Sequence, residues 1–106
     1  MARLEQLLTF LEQSPNDSFI LFALAKEYEK LADLEQSKSY YERLRTEHKD
    51  YVGTYYHLGK LYEKLNQIEE AIVVYKEGMA VAKAQNDNHA FSELAGAKLN
   101  IDEDED

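Results

Sequence analysis

The sequence predicts an all-α fold of stacked antiparallel helix pairs, and three observations carry the prediction. Leu, Ala, Glu, Lys and Gln dominate a chain with one Pro and four Gly, a composition of helix formers without the turn punctuation of a many-stranded sandwich. Residues 24–31 read LAKEYEKL and residues 58–65 read LGKLYEKL, identical at six of eight positions at an offset of 34. The offset persists beyond that block, pairing Leu34 with Ile68, Glu35 with Glu69, Ser37 with Ala71 and Tyr41 with Tyr75. Apolar residues in each copy recur every three or four positions, the period of a helix face and not of a strand.

Taken in order, Leu4, Leu7, Leu8 and Leu11 at helical spacing place a helix near 2–13. The first copy supplies a helix near 17–31 carrying Leu21, Leu24, Ala25 and Tyr28. Asp33, with Gln36 three residues on, has the pattern of an N-cap for a helix near 34–47 that carries Tyr41. In the second copy Tyr55, Leu58, Tyr62 and Leu65 line one face of a helix near 51–65. Asn66, which tolerates a left-handed backbone, marks the break before a helix near 68–84 with Ile68, Ala71, Ile72, Tyr75 and Met79. Asn86 or Asp87 caps a last helix near 87–99 with Phe91, Leu94, Ala95 and Leu99. Ala25 and Gly59 occupy matching small positions, as expected where two helices approach closely. Neither copy can bury its apolar face alone, so stacking is required.

These residues resemble the tetratricopeptide repeat, a 34-residue unit of two antiparallel helices. In a second copy starting at Val52, Tyr55 takes the family's first aromatic position, Leu58 and Gly59 its Leu-Gly pair, and Tyr62 its Tyr. Ala71, Tyr75 and Gly78 match the second helix, and Lys83 stands where the family usually has Pro. In the first copy Leu21, Leu24, Ala25, Tyr28 and Tyr41 fit, while Ser37, Leu44 and Lys49 match less well. The resemblance implies a right-handed α-solenoid, the α-α superhelix, over residues 1–101 as a single domain. Within it, 2–15 is a half-repeat helix, 18–51 and 52–85 are the repeats, and 86–101 is a capping helix covering the final apolar face. Residues 102–106 are expected to be a disordered acidic tail.

A chain of 106 residues holds one small core, and 44% hydrophobic with 31% charged residues is the balance of a folded soluble protein. Its net charge of −9 makes nucleic acid and anionic membrane poor ligands, and the last five residues, all acidic, carry more than half of it. The N-terminal stretch has Glu5 and Glu12 among its apolar residues and fails as a signal peptide, and no segment approaches the roughly 20 apolar residues of a membrane span. A cytoplasmic protein is expected. The absence of cysteine excludes disulfides, a thiol nucleophile and Cys-based zinc sites.

No catalytic residue, cofactor or metal site is expected. His48, His57 and His89 are scattered, and His89 with Glu93 four residues on is an ordinary exposed pair before it is a ligand set. Glu69 and Glu70 lie on an outer face without the apolar surroundings that make a carboxyl a general acid. Tyr28, Tyr41, Tyr55, Tyr62 and Tyr75 fall at packing positions. Family resemblance places the first helix of each repeat along a concave groove, facing it with Phe19, Phe22, Lys26 and Lys30 from the first copy and Tyr56, His57, Lys60 and Lys64 from the second, with Gly53 matching Phe19. Aromatics beside cations suit a peptide segment or helix of a partner protein. Two alternatives stand beside this: Phe19 and Phe22 pack against the N-terminal helix, and Glu29 and Glu63 neutralise the lysines. Some family members grip a terminal carboxylate with Lys, Asn and Arg; here Phe22, Lys26 and His57 replace members of that set, so that activity is not expected. The expected role is a non-catalytic protein-interaction module, the alternative being self-association, as a homodimer, through exposed terminal helices.

Overall fold

A computed structural model describes residues 2–102, leaving Met1 and residues 103–106 outside the description. The described chain is six α-helices and no strand: α1 (Ala2–Gln13), α2 (Ser18–Lys30), α3 (Leu34–Glu47), α4 (Gly53–Lys64), α5 (Ile68–Ala84) and α6 (Asn88–Ile101). Each lies within one or two residues of the span predicted from apolar spacing. The chain divides into two compact units, Met1–Tyr51 and Val52–Asp106, at the junction the sequence assigns between its repeats.

In the first unit the Asp17 carboxylate accepts from Phe19 N at 2.9 Å and Ile20 N at 3.3 Å, starting α2. The Pro15 carbonyl takes the Arg43 guanidinium at 2.8 Å, which ties the α1–α2 connection to α3. Asp33 caps α3 through Gln36 N at 3.3 Å. Its own N–H donates to Tyr28 O at 2.9 Å, so the reciprocal bond that Gln36 would supply in a capping box has no donor left to satisfy. Leu7, Leu21, Leu24, Ala25, Tyr41 and Leu44 form the buried core. Ser37 Oγ donates to the Ala25 carbonyl at 2.7 Å, joining α2 to α3 at the small position. Tyr28, expected in the core, is only half-buried and stacks on Tyr40 with centroids 5.7 Å apart, because it lies at the edge of the face that Leu21, Leu24 and Ala25 share.

The second unit repeats the scheme with one more helix. Tyr55, Leu58, Leu61, Tyr62, Ala71, Val74, Tyr75, Ala82, Leu94 and Ala97 are its buried apolar residues. A Cβ at Gly59 would overlap the Tyr75 ring, and one at Gly78 would overlap Tyr55 and reach 3.0 Å from Leu94 Cδ1. The two glycines therefore set the approach of α4, α5 and α6. Of the two residues offered for the last cap, Asp87 is the one used, accepting from Ala90 N at 3.0 Å.

Three of the connections are the same turn. Ala32, Asn66 and Asn86 all take left-handed backbone, with φ of 65°, 61° and 58°. After each, the next N–H reaches back to the carbonyl five residues earlier: Asp33 to Tyr28, Gln67 to Tyr62 and Asp87 to Ala82. That next residue is also the N-cap of the following helix, so one short turn ends one helix and starts its antiparallel neighbour. Asp102, assigned from sequence to the tail, is instead the C-cap of α6, and its carboxylate lies 2.9 Å from Lys98 Nζ. The rest of the expected tail, 103–106, lies outside the described residues.

Candidate binding surface

The first helix of each repeat presents one face at a spacing of three and four residues. On α2 this is Phe19, Phe22, Lys26 and Lys30. Phe19 is 72% exposed, so most of its ring is open to solvent. Phe22 is half-buried, with its ring 6.0 Å from that of Tyr41 and 5.5 Å from that of Tyr51. These two contacts are with α3 and the segment after it, a tertiary neighbourhood that helix periodicity does not specify. Lys26 and Lys30 are exposed, and no ion pair reaches either among the described residues.

On α4 the same face carries Tyr56, His57 and Lys60, all half-buried, and exposed Lys64. The Tyr56 and His57 rings meet edge to face at 5.8 Å, and Lys60 Nζ stands 5.9 Å from the Tyr56 centroid, a cation over an aromatic face. Lys60 Nζ also lies 3.8 Å from Glu63 Oε1. The two lysine positions therefore differ: the charge at Lys60 is partly answered within α4, whereas Lys26 has no such neighbour.

Glu29 and Glu63 have a second role that sequence reasoning missed. The Tyr41 hydroxyl donates to Glu29 Oε1 at 3.4 Å, and the Tyr75 hydroxyl donates to Glu63 Oε2. Burial first, then the charge and hydrogen bond of the facing carboxylate, pushes the Tyr41 hydroxyl far above its ordinary range; for Tyr75 burial again leads, followed by the bond to Glu63. Both phenols stay protonated and act as fixed donors, holding each carboxylate beside the lysine face. The signal was present as a Glu and a Tyr twelve apart in both copies, but spacing alone does not say that they meet.

Elsewhere in the first unit an open hollow of about 420 Å³ is lined by Ser18, Glu47, His48, Lys49, Asp50 and Tyr51, none of them a predicted surface residue. His89 and Glu93 are both exposed on α6. Among the described residues no three His, Cys, Asp or Glu are grouped to hold a metal ion, and no helix is long and apolar enough to cross a membrane.

The tetratricopeptide repeat profile matches residues 20–44 and 52–85, more than half of the chain and in phase with the two helix pairs. The chain belongs to the tetratricopeptide repeat family. A crystal structure of a tetratricopeptide repeat domain protein from Salinibacter ruber is 42% identical and superposes with a TM-score of 0.78, covering 84% of this chain and 99% of that one. A solution NMR structure of a tetratricopeptide repeat domain protein from the same organism is 42% identical with a TM-score of 0.80, covering 86% of this chain and 92% of that one. No curated protein matches the chain.

Tetratricopeptide repeats generally mediate protein–protein interaction and are generally non-catalytic scaffolds. Their packing positions here, Tyr55, Leu58, Gly59, Tyr62, Ala71, Tyr75 and Gly78, are all buried. Lys83 replaces the repeat's usual Pro, and without that helix breaker α5 runs on to Ala84, a length of 17 residues.

Proposed function

We propose that the chain is a non-catalytic, cytoplasmic interaction module that engages a segment of a partner protein through the first-helix faces of its repeats, in the shallow groove that the family resemblance implies. The observation that carries this reading is the recurrence, 34 residues apart, of a cationic face with an aromatic flank: half-buried Phe22 with Lys26 and Lys30 on α2, and Tyr56 with Lys60 and Lys64 on α4. On a protein of net charge −9 such faces are the local exception, and they suit a segment in which acids alternate with apolar anchors.

The test is titration of a synthetic peptide of that pattern into the protein. Affinity should fall with salt, and Lys26→Glu with Lys60→Glu should weaken it about tenfold while leaving the helical spectrum intact. Equal affinity for the wild type and the double variant, unmoved by salt, would remove these faces from the binding reading.

Self-association remains as a second reading because both terminal helices expose a large apolar residue, Phe10 at 50% on α1 and Leu99 at 62% on α6. Sedimentation across a concentration series separates the two, since a dimer through those helices should dissociate on Phe10→Asp or Leu99→Asp.

A further inference from the structure

One charged side chain is buried among the described residues, Glu27 of α2, at 5% exposure. Ile20, Leu24 and Leu31 share its helix face at steps of three and four residues, so a carboxylate interrupts an otherwise apolar stripe. Its ion-pair partner is Arg3 of α1, whose Nε lies 3.2 Å from Oε1 and whose side chain is 62% exposed. In the second copy the matching position, 34 residues on, is Leu61, which is fully buried.

Such a pair fastens α1 less firmly than an apolar contact would. A carboxylate taken out of water loses hydration that a largely exposed guanidinium only partly returns, whereas a leucine of similar volume gains from the same burial. Arg3 also lies in the first turn of α1, where the helix dipole disfavours a cation. The apolar hold of α1 is small: Leu7 is its contribution to the buried core, while Leu4, Leu8 and Leu11 are half-buried. The connection after α1 is held separately. The Arg43 guanidinium donates to the Pro15 carbonyl at 2.8 Å, and His48 Nε2 lies 3.2 Å from Asn16 Oδ1. The α2–α3 pair has its own polar ties in Ser37 to the Ala25 carbonyl and Tyr41 to Glu29, neither of which involves α1.

We propose that α1 is a releasable strap latched by Arg3 and Glu27, which lifts from α2 while α2 and α3 stay paired and uncovers the stripe of Ile20, Leu24 and Leu31 with its carboxylate. The first unit thus has a closed and an open state, and one ion pair sets the balance between them.

Native-state hydrogen exchange reads the strap directly. In low urea the amides of Leu7, Leu8 and Leu11 should exchange at least about tenfold faster than those of Tyr41 and Leu44, with a weaker dependence on urea because less surface opens. Arg3→Ala, which leaves the carboxylate buried without its cation, should speed the α1 amides about tenfold further. Glu27→Leu, which installs the residue of the second copy, should slow them by about as much, and in that background Arg3→Ala should have no effect. The helical spectrum of each variant shows that it folds, and the wild-type measurement stands without them. If the α1 amides share the rate and urea dependence of Tyr41 and Leu44, α1 leaves only when the whole unit unfolds. If they are fast but unmoved by either substitution, α1 frays and has no latch; if Glu27→Leu speeds them, the carboxylate is the better fastener. Any of these three results overturns the proposal.

Discussion

Ala32 holds a φ of 65°, a left-handed backbone that its two counterparts meet with asparagine. An L-residue with a Cβ is strained there by about 1–2 kcal/mol, and glycine is not. Allowing for the extra freedom of glycine in the unfolded chain, Ala32→Gly should raise stability by about 0.5–1 kcal/mol, visible as a shifted urea midpoint with unchanged slope. Thr54 offers a second test, since its hydroxyl is the one buried side-chain polar atom found without a hydrogen-bond partner among the described residues. Thr54→Val keeps the shape and removes the stranded group, so it should stabilise by about 1 kcal/mol; a loss of stability would show that the hydroxyl is satisfied. The helical glycines should divide cleanly under substitution. Gly59→Leu forces a side chain into Tyr75 and should cost about 1–3 kcal/mol, whereas Gly96, with nothing within 4 Å of a built Cβ, should gain about 1 kcal/mol as alanine.

Helix ends explain why element boundaries were legible and what was not. Asp33 and Asp87 cap α3 and α6 with side-chain bonds, but Gln67, in the same turn, makes none to α5. Gln67→Asp should install the missing acceptor and add about 0.5–1 kcal/mol, less if repulsion from Glu69 and Glu70 intrudes; thermal melts of the variant at two salt concentrations separate the terms. Cap residues and the apolar period are local signals, and each helix could be drawn from them. Ala32 gives no such signal, because its conformation is imposed by the bonds of Asp33 and Leu31 on either side. Asp102 was misassigned to the tail because its acidic neighbours outweighed a cap that depends on Lys98 one turn back. Likewise, periodicity put Phe22 and Lys26 on one face of α2 but was blind to Tyr51, which decides that one ring is half-covered and the other side chain is not. A face is one-dimensional information; the partner on it belongs to another helix.

Across the whole molecule the repeat shows most plainly in its polar contacts, because Tyr41 to Glu29 and Tyr75 to Glu63 are the same hydrogen bond written twice. Each joins the second helix of a repeat to the first and each keeps a phenol protonated well above its ordinary range. That shift makes stability depend on pH. In the unfolded chain both tyrosines ionise near about 10, while in the folded chain they retain their protons. Above that pH the unfolded state binds fewer protons, so unfolding becomes easier as pH rises; below it the contribution is fully present and flat. Tyr28, raised by burial and by its neighbours Tyr40 and Asp33, adds in the same direction. Thermal unfolding followed from pH 8 to about 11.5 should therefore show a plateau and then a steep decline beginning near the ordinary tyrosine range. The Tyr41→Phe, Tyr75→Phe variant should start lower at neutral pH, by about 1 kcal/mol or more for each lost bond, and decline less steeply in alkali. The difference between the two curves isolates these tyrosines from the lysines, which titrate over the same range in both proteins. If the curves run parallel, the two phenols do not hold their protons and the paired contacts contribute nothing particular to either repeat.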